Sequence, residues 1–272
     1  MSDSNVSATL QYLIATGERP IYFASRGGAD AAMKIGAEFE KREVTIQDAR
    51  HLSPPAGLDR EGFTLSKHRT KIDDFYHADF DQALYETEIS DLVLTASGGN
   101  DVFVFDHTLR SDSAAVRGLK TTREPASVIH NDYTDSSARK RVMELLGDEE
   151  AEQRLDHRFA IVNVWRSVRG SVFNSPLACC DATTLALDDL VPSERRADDR
   201  IGELELVSWN PAHRWYYFPE MTVNEALLIK TYDTASDGRA IRSIHSAFTN
   251  PLAPADAPPR ESIESRMLVF FD

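Results

Sequence analysis

Cysteine is scarce in this sequence. Among 272 residues there are two, Cys179 and Cys180, and they are adjacent. Neighbouring cysteines rarely bridge each other and no second pair exists. That excludes a disulfide framework and points to a reducing, cytoplasmic compartment. Small buried core residues are the ordinary reading of both, with a metal ligand at Cys180 as the alternative. Long apolar runs are missing too. No segment approaches the roughly 20 residues of a membrane span. The N-terminal MSDSNVSATLQYL has neither a basic region nor a long apolar core, so no signal peptide is expected there. Basic charge is short: 30 Lys and Arg stand against 44 Asp and Glu, a net charge of −14. Such a chain repels phosphate backbones, which argues against nucleic acid as a partner. Common catalytic signatures are absent as well. There is no G-x-S-x-G elbow, no Walker A loop, no G-x-G-x-x-G and no H-E-x-x-H. Hydrolase, nucleotide-binding and dehydrogenase readings lose their usual support.

What is present changes in texture near residue 100. Before it, PIYFAS reads as a short strand, DAAMKIGAEFEKRE as a helix-like stretch, and EVTIQDAR as another strand. DFDQALYETEISDLVLTAS suits an amphipathic helix ended by Gly98-Gly99. From Asp101 onward short strands follow one another: DVFVFDHTLR, SVIHND, HRFAIVNVWRSV, PLACCDATTL, IGELELVSW, HRWYYFPEM, EALLIKTYD, IRSIHSAF and SIESRMLVFFD. Many short strands with few helices between them predict a mainly β fold with flanking helices, an antiparallel barrel or jelly-roll. The division is residues 1–100, an α/β portion packing on the core, and residues 101–272, the β core, together one compact unit. The polar stretch from Ser111 to Pro125 reads as a loop over the barrel mouth.

The chemistry concentrates in VIHNDYTDSSARKR, which starts as an apolar strand and finishes in a charged helix, TDSSARKRVMELL, capped by Thr134 or Asp135. His130 and Asp132 are two positions apart at a strand end, so they share a face. That face can hold a metal or a simple His–Asp hydrogen bond. Two imidazoles and a carboxylate on one side of a ferrous ion leave positions open for cosubstrate and oxygen. His245, late in the chain on a strand, is the candidate third ligand; Asp106, His107 and His213 read as ordinary core or surface groups. In PRESIESRMLVFFD, Arg260, Ser262, Glu264 and Arg266 share one strand parity. A guanidinium facing an interior needs an anion, either a ligand carboxylate or a neighbouring glutamate. Asn163 and Trp165 in NVWRS, with Arg166, and Trp215 and Tyr217 in HRWYYFPEM are candidates for lining an organic substrate's pocket, against the plainer reading of core aromatics.

Taken in order, VIHNDYTDSSARKR, FAIVNVWRSV with PLACCD, HRWYYFPEMTVNEALLIKTYD, IRSIHSAF and PRESIESR resemble the hydroxylase/desaturase-like proteins of bacterial and fungal specialised metabolism. That family includes AsaB-like proteins, gibberellin desaturase-like proteins and the hydroxylating component of cephalosporin 7α-methoxylase. The resemblance runs from about Asp101 to the C-terminus and is weaker before it. It implies a double-stranded β-helix of the jelly-roll or cupin kind, an iron(II) centre on His130, Asp132 and His245, and 2-oxoglutarate and O2 as cosubstrates. It also implies an arginine for the far carboxylate of 2-oxoglutarate. Arg260 with Ser262 fits the R-x-S pattern, and Arg266 competes for the role. The expected activity is hydroxylation, desaturation or cyclisation of a small organic molecule. Two alternatives stay open at this stage: a metal-dependent cupin-like enzyme without 2-oxoglutarate, and a non-catalytic accessory subunit of a biosynthetic partner protein. A homo-oligomer is compatible with either.

Overall fold

The computed structural model describes residues 4–32, 34–120, 122–197 and 200–271. Its strands, in chain order, are β1 (Val6–Leu13), β2 (Ile21–Phe23), β3 (Lys34–Gly36), β4 (Phe39–Asp48), β5 (Phe63–Lys67), β6 (Asp101–Ser111), β7 (His130–Asn131), β8 (Arg158–Ser167), β9 (Leu177–Cys180), β10 (Leu190–Arg196), β11 (Ile201–Val207), β12 (Trp215–Tyr217), β13 (Glu225–Asp233), β14 (His245–Ala247) and β15 (Glu261–Phe271). The helices are α1 (Gln82–Ser97), α2 (Ala114–Lys120), α3 (Asp135–Leu146) and α4 (Asp148–Leu155). Ten strands form a major sheet in the order β1-β4-β12-β9-β14-β7-β11-β10-β2-β3. Five form a minor sheet in the order β5-β13-β8-β15-β6. The two curl around each other as a cupin-like double-stranded β-helix, with the helices outside or at the ends. No helix among the described residues is long and apolar enough to cross a membrane.

Alternation along the strands sorts the core. Between the sheets lie Phe63, Trp165, Leu177, Cys179, Tyr216 and Ala247. The opposite face of the major sheet carries a second core of Tyr12, Ile46, Cys180, Trp215, Tyr217 and Ile244. Successive side chains point to opposite faces, so Cys179 and Cys180 fall into different cores. Both are buried and free. Helix α1 lays Tyr85, Ile89 and Val93 against Val162, Val164 and Leu228 on the outside of the minor sheet. Its N-cap is Asp81, and Gly98 ends it in the left-handed conformation at φ 71°. Helices α3 and α4 cover Phe159, Ile161 and Leu268 at the far end of the inner face. Each large apolar side chain buried this way contributes on the order of 1.5–3 kcal/mol.

Two expectations are corrected. The stretch from Asp30 to Glu43 is not helical: it holds β3 and the start of β4, and Met33 lies outside the described residues. β4 pairs with β1 along the whole length of β1, from Val6 opposite Ile46 to Leu13 opposite Phe39. That ladder outweighs the helix propensity of Glu, Lys and Arg, which is a weak prior. The stretch from Ser111 to Pro125 is not a plain loop, because it contains α2; Thr121 lies outside the described residues.

Candidate metal centre

β7 is only two residues long, yet it places the first ligand candidates. His130 pairs with Leu206 of β11 on one side and with His245 of β14 on the other. Directly opposed residues on neighbouring antiparallel strands bring their side chains together, and the two imidazole centroids are 4.6 Å apart. Asn131 points the other way and is fully buried, donating from Nδ2 to Tyr133 O at 2.8 Å and to Glu205 Oε2 at 2.8 Å. Thr134 then caps α3 in a capping box with Ser137. Asp132 is thereby held between a paired strand and a capped helix.

The donor atoms of His130, Asp132 and His245 all lie within 4.8 Å of one another. His130 donates from Nδ1 to Val128 O at 2.8 Å, and His245 from Nδ1 to Ser243 O at 3.2 Å. A carbonyl oxygen only accepts, so the proton sits on Nδ1 and each Nε2 keeps a lone pair facing the cluster. Burial, then the neighbouring His245, pulls the His130 pKa down to about 4, so it is a neutral nitrogen donor at pH 7. For Asp132, burial acts to raise the pKa, but Arg266, the two imidazoles and Asn163 together hold it well below the usual carboxylate range. Asp132 Oδ2 accepts from Asn163 Nδ2 at 2.6 Å and from Arg266 Nε at 3.2 Å. Its Oδ1 lies 3.8 Å from His130 Nε2. Two imidazoles and one carboxylate, each backed by a second hydrogen bond, are a donor set suited to ferrous iron with open positions.

The two arginines that the sequence leaves in competition differ sharply. Arg266 gives Nη1 to Asp106 Oδ2 at 2.6 Å, Nη2 to Glu264 Oε2 at 2.8 Å and Nε to Asp132, so all three nitrogens are engaged by carboxylates. Arg260 is 2% exposed and has no carboxylate at ion-pair distance among the described residues. It donates from Nε to Ser262 Oγ at 3.1 Å and from Nη1 to Ser175 O at 2.6 Å, and its Cζ stands 5.1 Å from the centre of the Trp165 ring. Burial, then repulsion from Arg110, lowers its pKa. Trp165 Nε1 is buried without an acceptor. A desolvated guanidinium and an orphaned indole N–H side by side fit an incoming anion.

Reading β8 along its inner face, Phe159 and Ile161 underlie α3 and α4, Asn163 meets Asp132, and Trp165 meets Arg260. Arg166 has the opposite parity. It leaves the interior and binds His68 O at 2.7 Å and Val223 O at 2.9 Å. Trp215 and Tyr217 face the second core, where Trp215 Nε1 donates to Tyr12 OH at 2.8 Å and Tyr217 OH to Ser4 O at 2.7 Å. The structure thus does not bring Arg166, Trp215 or Tyr217 to the His–Asp–His cluster. A cleft of about 460 Å³ does open on His130, Asp132 and Arg266, and its walls include Tyr22, Arg123 and Arg195. A bulge in β6 opposite Arg266/Met267 turns the consecutive Phe105 and Asp106 both toward this cleft. Tyr22, Arg123 and Arg195 sit in stretches that carry no ligand motif, so residue spacing alone had no means of finding them. A larger depression of about 720 Å³ around Lys67, His68 and Asn224 contains none of the three ligand candidates.

A curled double-stranded β-helix with two imidazoles and a carboxylate converging beside a cleft has the architecture of a non-haem metal oxygenase. Comparison with known proteins sharpens that class. The family described as "Oxidoreductase/YMDC permease-like domain" matches residues 10–270. Hydroxylase/desaturase efuI of Hormonema carpetanum is 31% identical over 86% of this chain and 85% of its own length. The Fe(II)/2-oxoglutarate-dependent dioxygenase nvfI of Aspergillus novofumigatus is 32% identical over 84% of this chain and 83% of its own. A solved structure of the iron and alpha-ketoglutarate-dependent endoperoxidase NvfI aligns over 99% of both chains with a TM-score of 0.85 at 28% identity. The chain belongs to this hydroxylase/desaturase family of non-haem Fe(II)/2-oxoglutarate-dependent dioxygenases. Fe(II), 2-oxoglutarate and O2 are the cofactor and cosubstrates of that class.

Proposed function

We propose that His130, Asp132 and His245 hold the iron, that Arg260 with Ser262 holds the far carboxylate of 2-oxoglutarate, and that the cleft over His130 and Asp132 receives a small organic substrate for hydroxylation, desaturation or cyclisation. The observation that carries the assignment is the contrast between the arginines: Arg266 is saturated by carboxylates, whereas Arg260 is buried with no anion of its own. Bound iron with its cosubstrates supplies the oxidising power for an unactivated C–H bond, which no side chain can supply. The protein's share is positioning. Val128 O and Ser243 O fix the imidazole tautomers, and Asn163 and Arg266 aim Asp132. Trp165 forms a wall beside Arg260, with its N–H free to donate. The strands β1 and β4 extend the major sheet and β5 edges the minor one, so we take residues 1–100 and 101–272 to work as one unit.

Anaerobic titration with Fe(II) and 2-oxoglutarate, followed by visible absorption, tests this. Wild type develops a weak charge-transfer band, and His245→Ala abolishes it. Arg260→Ala keeps iron binding but weakens 2-oxoglutarate by about ten- to a hundredfold, the worth of one charge-assisted hydrogen-bonding group. Undiminished 2-oxoglutarate affinity in Arg260→Ala would remove that residue from the role.

A further inference from the structure

We propose that the substrate carries an oxyanion, a carboxylate or a phosphate monoester, that docks on Arg123 and Arg195 in the cleft above the His–Asp–His cluster. The inference rests on the reading of that cluster as the metal centre and adds the chemical class of the molecule that meets it.

The chain has a net charge of −14, yet arginines crowd this one recess. Arg110, Arg123, Arg195 and Arg266 all line it. Two of them are already engaged. Arg266 holds three carboxylates, and Arg110 donates from Nη1 to Glu124 O at 2.9 Å with Nε 3.8 Å from Glu264 Oε2. Arg123 and Arg195 have no carboxylate at ion-pair distance among the described residues. Both are half-buried. The acids of the cleft are committed elsewhere. Asp106 and Asp132 answer Arg266, Glu144 lies against Arg141, Lys140 and Arg200, and Glu203 accepts from Thr134, Ser136 and Arg19. Glu124 Oε2 is buried without a hydrogen-bond partner among the described residues, beyond ion-pair distance of either arginine. Burial, then repulsion from Arg266, Arg200 and Arg123, disfavours the charged form of Arg195, with Tyr22 opposing. Burial and Arg110 act likewise on Arg123. A half-desolvated cation without a counter-charge is costly, and an incoming anion relieves that cost.

The space beside Arg195 is built open. Tyr22, Arg195 and Gly202 are register partners across β2, β10 and β11, and all three line the cleft. A Cβ placed on Gly202 meets nothing within 4 Å. The glycine therefore leaves a vacancy next to the guanidinium, at the roughly 4.8 Å spacing of adjacent strands. Arg260 does not line this cleft. It lies on the inner parity of the stretch that leads into β15, against Ser262 and Trp165. The two anions, cosubstrate and substrate, thus have separate cationic partners.

The full chain, loaded with Fe(II) and 2-oxoglutarate under anaerobic conditions, is titrated calorimetrically with benzoate, 4-phenylbutanoate and phenyl phosphate, each beside its uncharged counterpart benzamide, 4-phenylbutanamide or phenol. At least one oxyanion binds wild type about tenfold or more tightly than its neutral partner, and Arg195→Gln and Arg123→Gln shrink that preference to within about threefold. Whether carboxylate or phosphate leads distinguishes the two sources. Gly202→Leu, whose Cβ meets no atom within 4 Å, weakens charged and neutral probes together. A wild type that binds no oxyanion better than its neutral partner overturns the proposal. So does a loss of 2-oxoglutarate affinity in Arg195→Gln, which would assign the cleft cations to the cosubstrate. Failure of the metal reading shows separately, as a wild type without the visible band.

Discussion

Asp132 accepts two hydrogen bonds through one oxygen, and both donors, Asn163 and Arg266, come from strands distant in sequence. Arg266 also answers Asp106 and Glu264, so one guanidinium is shared among three carboxylates. Removing one member of a buried ionic network leaves the others uncompensated, which costs about 3–5 kcal/mol. Arg266→Gln is therefore expected to lose that much stability in urea titration. It should also weaken metal binding by about ten- to a hundredfold, the usual effect of losing an outer partner of a ligand. Arg266→Lys restores the charge but not the three-way fork and falls between the two. Wild-type metal affinity in Arg266→Gln would show that Asp132 needs no such brace. At this scale the H-x-D pair and His245 are legible, because alternation puts His130 and Asp132 on one face. The choice between Arg260 and Arg266 is not. Both have the same parity on the same stretch, and only the carboxylates that meet Arg266 from β6 and from Asp132 separate them.

The N-cap of helix α3, Thr134, stands two residues after Asp132, so the cap fixes the position of a proposed ligand. Thr134 Oγ1 accepts from Ser137 N at 3.0 Å and donates to Glu203 at 2.7 Å. Thr134→Ala removes both and is expected to cost about 0.5–2 kcal/mol, a fall in Tm of about 1–8 °C for a chain of this size. Far-ultraviolet circular dichroism during heating checks it; an unchanged Tm would place the restraint in β7 alone. The TDSSARKRVMELL pattern announces this helix, and DFDQALYETEISDLVLTAS announces α1, because caps and period are local. The stretch from Asp30 to Glu43 misleads for the same reason. Its residues favour a helix locally, but β1 offers an extended partner that the local pattern does not contain. β7 shows the converse: two paired residues are a weak strand signal, yet they bring His130 against His245.

At the middle of the major sheet β9, β12 and β14 are buried on both faces, with the proposed metal site on one and the Tyr12–Trp215 core on the other. His213 belongs to the second of these. It lies 3.2 Å through Nδ1 from Tyr12 OH and 3.1 Å through Nε2 from Asp189 Oδ2. Burial lowers its pKa, with Asp189 opposing. The folded chain thus resists a proton that the unfolded chain takes up below about pH 6.5. Its contribution to stability is complete above that pH and is lost as pH falls toward the folded value, because the unfolded state then binds more protons. Tm measured from pH 7.5 to 5 should fall in wild type and fall less steeply in His213→Gln; parallel slopes would exclude His213 as a source of acid lability. Buried His130 acts in the same direction in the metal-free chain.

Composition and alternation by themselves determined the β-rich character, the helix after Asp132, the shared face of His130 and Asp132, and the common parity of Arg260, Ser262, Glu264 and Arg266. These are properties of a strand's two-residue repeat and a helix's cap, readable a few residues at a time. Only the tertiary structure decided that β14 lies against β7, that Arg266 is saturated while Arg260 is bare, and that Trp215 and Tyr217 turn to the second core with their polar atoms already bonded. It alone gathered Tyr22, Arg123 and Arg195 around one cleft. The physical reason is that each of these depends on which strands pair, and in what register, across long separations. That choice is made by the burial of two sheet faces at once and leaves no trace in any single stretch of the chain.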